Sequence, residues 1–164
     1  MDTNIQTTTE VTYQRERWSD ALRDEAFPLL KRHWDEVALD KDTVPLDPNW
    51  DGYATLDKMD MLVIVTARRD GVLVGYVSHF ITPNLHYLSL KVADNDIFWL
   101  APEHRNSRIG IHLLQAAERE VRALGCNKIM MKEKLHVPLG RLFEFLGYRE
   151  IERVHSKTLI RSAG

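Results

Sequence analysis

Between Asp20 and Val37 the apolar residues Leu22, Ala26, Leu29, Leu30, Trp34 and Val37 recur three and four positions apart. That is the spacing of one helix face, and Pro28 inside it is expected to bend or divide the helix. The preceding stretch TTTEVTYQ is rich in β-branched residues and predicts a first strand, at a sheet edge. After the helix, LDKDTVPLDPNWDG collects prolines, aspartates and a glycine and reads as a loop, followed by a short helix in YATLDKMD. In MLVIVTARRDGVLVGYVSHFIT two β-branched runs flank Asp70-Gly71, a dipeptide suited to a type I′ turn, so a hairpin is expected.

Periodicity is less even in the second half. PNLHYLSLKVADN is mixed and selects no conformation, whereas DIFWLAP reads as a short, buried strand ended by Pro102. Gly110, Leu113, Leu114, Ala117, Val121 and Leu124 share one helical face, and Gly125 is placed to end that helix. NKIMMKEK predicts another strand. PLGRLFEFLG repeats the helical pattern through Leu139, Leu142, Phe143 and Leu146, with Gly147 as its stop. YREIERVHSKTLI alternates in part and is expected to close the fold as a strand. This order predicts an α/β domain with helices on both faces of a sheet.

Composition narrows the reading. The 164 residues, 44% hydrophobic and 28% charged, suffice for one core, so a single domain over 1–164 is expected. A formal net charge of -2 supplies no basic field for nucleic acid or an anionic membrane, so an anion site has to be local. Cys126 is the only cysteine, which excludes an internal disulfide. Neither a signal peptide nor a bilayer-length apolar run is evident, and a cytoplasmic protein is expected. The seven histidines show no zinc-ligand spacing, so no metal is expected.

APEHRNSRIG stands between the apolar run IFWL and the securest helix. A helix N-terminus offers unpaired N–H groups and partial positive charge. Arg105 and Arg108 add charge, Ser107 a hydroxyl, and Gly110 room for close approach, which together suit a pyrophosphate. The residues alone equally allow Ser107 to be a plain cap and the arginines to be solvated.

The stretch from Asp96 to Gly125 resembles motif A of the GNAT superfamily of acyl-CoA-dependent N-acyltransferases: a strand, V-x-P-E-x-R, then a loop of the form [RQ]-x-x-G-x-[GA] opening a helix. Arg105 takes the first position of that loop and Gly110 the last, while Arg108 stands at the usual first glycine. KIMMKEKLHVPLGRLFEFLGYREI resembles the family's motif B, with Phe143, Glu144, Gly147 and Tyr148 at its Y-E-x-x-G-F ending and His136 near a frequent asparagine. With the hairpin, the match covers roughly Met61 to Ile151. NDIFWLAPEHR with KLH is also similar to acetyltransferase-like proteins of tailed phages, for which the location would be host cytoplasm or virion.

The resemblance implies a mixed, mostly antiparallel sheet with splayed fourth and fifth strands. It implies acetyl-CoA as co-substrate, held by Phe98, Trp99, Leu100, Arg105, Asn106, Ser107, Arg108, Ile109, Gly110 and Ile111. An amine attacks the thioester directly, so a base is needed. Asp96 matches the acidic residue found near the start of the family's fourth strand, with a turn or strand cap as its plain structural role. His86 and Tyr87 are further candidates in the loop over the acceptor side. The tyrosine that often protonates the leaving thiolate corresponds to Phe143, which has no proton to give, so His136 is the surrogate acid unless it merely caps the next helix. Glu103 is expected to cap the helix, Tyr148 to pack in the core, and Glu118, Arg119, Glu120 and Arg122 to form a solvated face. Trp50, Tyr53 and Met59 are either acceptor-pocket walls or the underside of a short helix. The reading is an N-acetyltransferase acting on a primary amine of a small molecule or protein, with a homodimer left open. A non-catalytic CoA-binding or virion-associated protein and a nucleotide-binding protein are the alternatives.

Overall fold

The computed structural model describes residues 10–159. Five strands follow one another across the sheet in chain order: β1 (Val11–Glu16), β2 (Leu62–Arg69), β3 (Val72–Pro83), β4 (Lys91–Leu100) and β5 (Lys128–Met130). The first three pairings are antiparallel and β4 with β5 is parallel. Four helices accompany them: α1 (Asp20–Val37), α2 (Trp50–Lys58), α3 (Ile109–Ala123) and α4 (Gly140–Phe145). The expected mixed, mostly antiparallel sheet with helices on both faces is what forms.

Local chemistry explains the element ends. Ser19 accepts from the Leu22 N–H at 3.1 Å to start α1, and Asn49 accepts from the Gly52 N–H at 2.9 Å to start α2. Helix α1 runs through Pro28 without a break. Asp70 and Gly71 adopt φ of 50° and 82°, as the hairpin turn requires.

Each sheet face buries a separate cluster. On one, Leu113, Leu114, Ala117 and Val121 of α3 and Phe143 of α4 pack on Val63, Val65, Val77 and Ala93. On the other, Leu22 of α1 packs with Leu62 and Ile64 against Tyr53 and Leu56 of α2, while Leu29 and Leu30 cover Tyr76 and Trp99. β3 and β4 approach so closely that a Cβ at Gly75 would lie 2.9 Å from the Trp99 carbonyl oxygen. Only glycine fits there.

β4 has two features that build the site. It pairs with β5 only at Val92, Ala93 and Asp94, so among the described residues its remaining length up to Leu100 has no strand neighbour on that side; this is the expected splay. Its pairing with β3 slips from Ser78↔Ile97 to His79↔Asn95, which leaves Asp96 as the extra residue of a β-bulge.

Several expectations are corrected. β4 begins at Lys91, so the mixed stretch before DIFWLAP belongs to it in part, and Asp96 is the sixth of ten residues rather than the strand start. α2 begins at Trp50, inside the expected loop, and β5 is three residues long. β1 is an edge strand but extends to Glu16; Thr7–Thr9 of its predicted range lie outside the described residues. YREIERVHSKTLI does not form a strand among the described residues: 149–159 are irregular and exposed throughout, and Ile160 lies outside. Its apolar residues Ile151, Val154 and Leu159 do not keep to a period of two, so no single side of it is apolar.

Candidate active site

The bulge turns Asp96 and Ile97 toward the same side, the face covered by α1 and α2. The Tyr53 hydroxyl donates to Asp96 Oδ2 at 2.8 Å and the Ser78 hydroxyl donates to the same oxygen at 3.0 Å. Tyr53 is presented by the first turn of α2 and Ser78 by β3. Burial, reinforced by the Asp96 charge, raises the Tyr53 phenol above its ordinary range, so it remains a donor. Among the described residues no hydrogen bond reaches Oδ1 of Asp96. The result is a carboxylate fixed through one oxygen and free to accept a proton through the other.

A groove between α1, α2 and the sheet is lined by Tyr53 and Ser78, the two residues that hold this carboxylate. Trp18, Leu22, Leu30, Trp50, Tyr53 and Ile97 are among its walls, and its cavity volume is about 60 Å³. Trp18 stacks on both Trp50 and Tyr53, with ring centroids 5.6 and 5.4 Å apart, and Phe27 meets Trp50 edge-on. Trp50 and Tyr53 are thus both the underside of α2 and the wall of a pocket. Met59, considered with them, is 61% exposed and belongs to neither.

Beyond the groove a polar chain runs toward the end of β4. Tyr76 meets Nδ1 of the buried His33 at 3.1 Å, and His33 stacks on Trp99. Burial depresses His33 to about 4, so it is neutral near pH 7. The Trp99 indole donates to Glu36 at 2.8 Å, and Glu36 holds the Arg105 guanidinium through two contacts of 2.7 Å. Arg105 also donates to the Leu100 carbonyl at 2.8 Å. The Arg105 side chain is therefore occupied in tying α1 to the end of β4 and is not directed at the α3 N-terminus, as its expected role required. Glu103 does not cap α3 either; it pairs with Arg32 at 2.8 Å.

The loop entering α3 leaves donors free. Arg108 is the N-cap residue and makes no side-chain cap. The Ser107 hydroxyl donates to the His104 carbonyl at 2.6 Å and accepts a long 3.3 Å bond from the Ile109 N–H. The first backbone bond into the helix comes from the His112 N–H, so the N–H groups of Gly110 and Ile111 have no acceptor among the described residues. Asn106, Ser107 and Arg108 are exposed, while Ile109 is buried and anchors the helix. A Cβ at Gly110 would stand 3.8 Å from Leu100 and Phe98, an ordinary contact. The fold itself therefore does not demand glycine there, and the open space fits an anion drawn close to the backbone. Phe98 and Leu100 face α3 and Trp99 faces α1, leaving their shared backbone as the unpaired edge. This donor set suits the pyrophosphate and extended arm of a CoA ester.

The other candidates are not brought to Asp96. His136 is exposed in the turn between Lys134 and Val137, and His86 is exposed in the loop before β4, where its backbone N–H donates to Asn84. Phe143 is buried in the α3-side core against Tyr148, as a packing residue. Tyr148 donates to Glu118 at 2.8 Å, which takes Glu118 out of the solvated face. Ser78, Tyr76 and Glu36 join the site without any motif to mark them in the sequence. Strand alternation puts Tyr76 and Ser78 on one face of β3, but only the bulge in β4 shows that Asp96 shares it.

Residues 14–148 match the Acetyltransferase (GNAT) family. No curated protein sequence matches the chain. Among solved structures, an aminoglycoside acetyltransferase from an uncultured soil metagenomic sample, in complex with sisomicin, is similar at TM-score 0.72 and 12% identity, over 92% of this chain and 97% of that one. Ribosomal-protein-alanine N-acetyltransferase from Brucella melitensis biovar Abortus 2308 is similar at TM-score 0.62 and 21% identity, over 94% and 100%. Glucosamine-6-phosphate N-acetyltransferase from Arabidopsis thaliana is similar at TM-score 0.67 and 14% identity, over 91% and 99%. At these identities the likeness is one of fold.

Proposed function

The chain belongs to the acetyltransferase (GNAT) family, and from that premise we propose that it transfers an acetyl group from acetyl-CoA to a primary amine by direct attack. The observation that carries this reading is Asp96, held at Oδ2 by Tyr53 and Ser78 on a bulge beside the unpaired edge of β4. Bound acetyl-CoA supplies the electrophile, a thioester carbonyl. The Gly110 and Ile111 N–H groups receive its pyrophosphate, and the β4 backbone from Ile97 to Leu100 hydrogen-bonds the extended arm. Asp96 Oδ1 accepts the proton that the amine loses as the new C–N bond forms, while the C–S electron pair leaves with sulfur. Phe143 and His136 give that sulfur no proton donor, and the thiolate leaves unaided or is protonated by water. A cytoplasmic location belongs to the same reading, as does the phage-encoded source supported by the NDIFWLAPEHR stretch.

Calorimetric titration with CoA, acetyl-CoA and ATP tests the cofactor. Binding of both CoA species without ATP binding is expected. Amine-dependent release of free thiol should follow and should vanish in Asp96→Asn. Tight ATP binding, or no binding of either CoA species to the folded protein, would overturn the reading.

A further inference from the structure

Resting on the acetyltransferase reading, we infer that the acceptor is an amine with a planar, apolar body and a single positive charge, of the arylalkylamine class. The groove beside Asp96, lined by its partners Tyr53 and Ser78, is walled mainly by indole, phenol and aliphatic side chains. Asp96 lies directly behind Tyr53 and Ser78, two of the lining residues, which hold it by their hydroxyls. Glu16, bonded to the lining residue Thr66, is matched by Arg68, and Asp57 of α2 is matched by Arg17. The charged group on its wall is a cation, Arg23, paired with Asp20 and Asp24 on the outer side. Charge complementarity therefore admits one amine, at the depth where Asp96 takes its proton. A second or third ammonium on the same molecule would lie against tryptophan and leucine without a counter-charge, or against Arg23 and the Asp24 that Arg23 already pairs, and would lose hydration with little return. An aromatic body meets the opposite situation, since it exchanges water for stacked ring surface. A second depression beyond Trp50, lined by Phe27, Pro28, Arg23 and Asp24, continues the groove outward and gives such a body room to extend; its one acid, Asp24, is bonded to Arg23 at 2.8 Å.

The experiment compares 2-phenylethylamine and tryptamine with spermidine, kanamycin and an alanine-initiated peptide as acceptors at saturating acetyl-CoA. The arylalkylamines should exceed spermidine and kanamycin in kcat/KM by about 100-fold or more. Trp50→Ala should raise KM for tryptamine about 10-fold with little change in kcat or in CoA affinity. Arg23→Glu, at the groove mouth, should improve spermidine relative to phenylethylamine. Binding is read separately, without CoA, from the change in tryptophan fluorescence on adding 2-phenylethylamine. Preference for kanamycin, spermidine or the peptide, with CoA bound normally, overturns this inference and leaves the transferase reading intact. Phenylethylamine bound by a protein that binds no CoA supports the groove's ligand class and overturns the transferase reading. Absence of both overturns both.

Discussion

Tyr53 and Ser78 spend their hydroxyl protons on the same oxygen of Asp96, and that asymmetry separates a positioned base from a buried structural acid. A cap would use its oxygens on backbone N–H groups, whereas here, among the described residues, both bonds fall on Oδ2 from side-chain hydroxyls and Oδ1 has none. Asp96→Asn keeps the shape and removes the basicity. Acetyl transfer should fall by about 10²–10⁴ at neutral pH, with partial recovery as pH rises and more of the amine is already deprotonated. CoA affinity by calorimetry and the melting temperature should hardly move; a large loss of stability instead would make Asp96 structural. Two buried histidines carry a different residue-scale prediction. Burial lowers His33 and His79 from 6.5 to about 4 in the folded protein. Between those values the unfolded chain binds more protons, so stability is complete above about pH 6.5 and is lost as pH falls toward 4. Near pH 5 the two together should contribute a slope of about 2 protons, on the order of 2.7 kcal/mol per pH unit. Melting followed against pH checks the slope, and His33→Phe should reduce it by about half.

At the scale of elements, legibility followed the strength of local patterning. The two long helices were readable because six apolar positions at three-and-four spacing share a face on a helix and on no other regular backbone. The hairpin was readable because Asp70-Gly71 accepts positive φ at both turn positions. β4 was legible in part: its apolar second half reads as a strand, but the bulge at Asp96 is created by pairing with β3 and leaves no local mark. Arg105 was read from its place in a motif, yet Glu36, almost seventy residues away, determines where its guanidinium goes. What survives of the cofactor loop is its backbone. Gly110→Glu should therefore weaken CoA binding by about 100-fold or more through bulk and charge, without unfolding the protein, since a Cβ there makes only ordinary contacts at 3.8 Å. Arg108→Gly should keep or tighten the affinity, because it restores bare backbone while Arg108 supports no cap. Calorimetric titration of both variants decides between a backbone cradle and an arginine clamp, the latter requiring Arg108→Gly to lose affinity.

For the whole molecule, the family match spans residues 14–148, and the buried residues stop at Phe143 with Tyr148 packed beside it. The chain beyond adds neither core nor sheet among the described residues: Ile151, Val154 and Leu159 are 54%, 81% and 84% exposed. Its ion pair of Arg153 with Glu150 joins neighbours on the segment itself. Exposed apolar side chains and a local surface pair contribute little to stability. A chain ending at Arg149 should thus melt within about 2 °C of the full chain, corresponding to at most about 0.5 kcal/mol. It should also keep its CoA affinity, because the described part of the removed segment, 150–159, is exposed throughout and bonds only within itself. Differential scanning calorimetry and CoA titration on the two chains measure both quantities. A loss of several degrees with unchanged affinity would mean that the closing segment packs on the sheet as its partial alternation first suggested. A loss of affinity alone would mean that it closes over the cofactor.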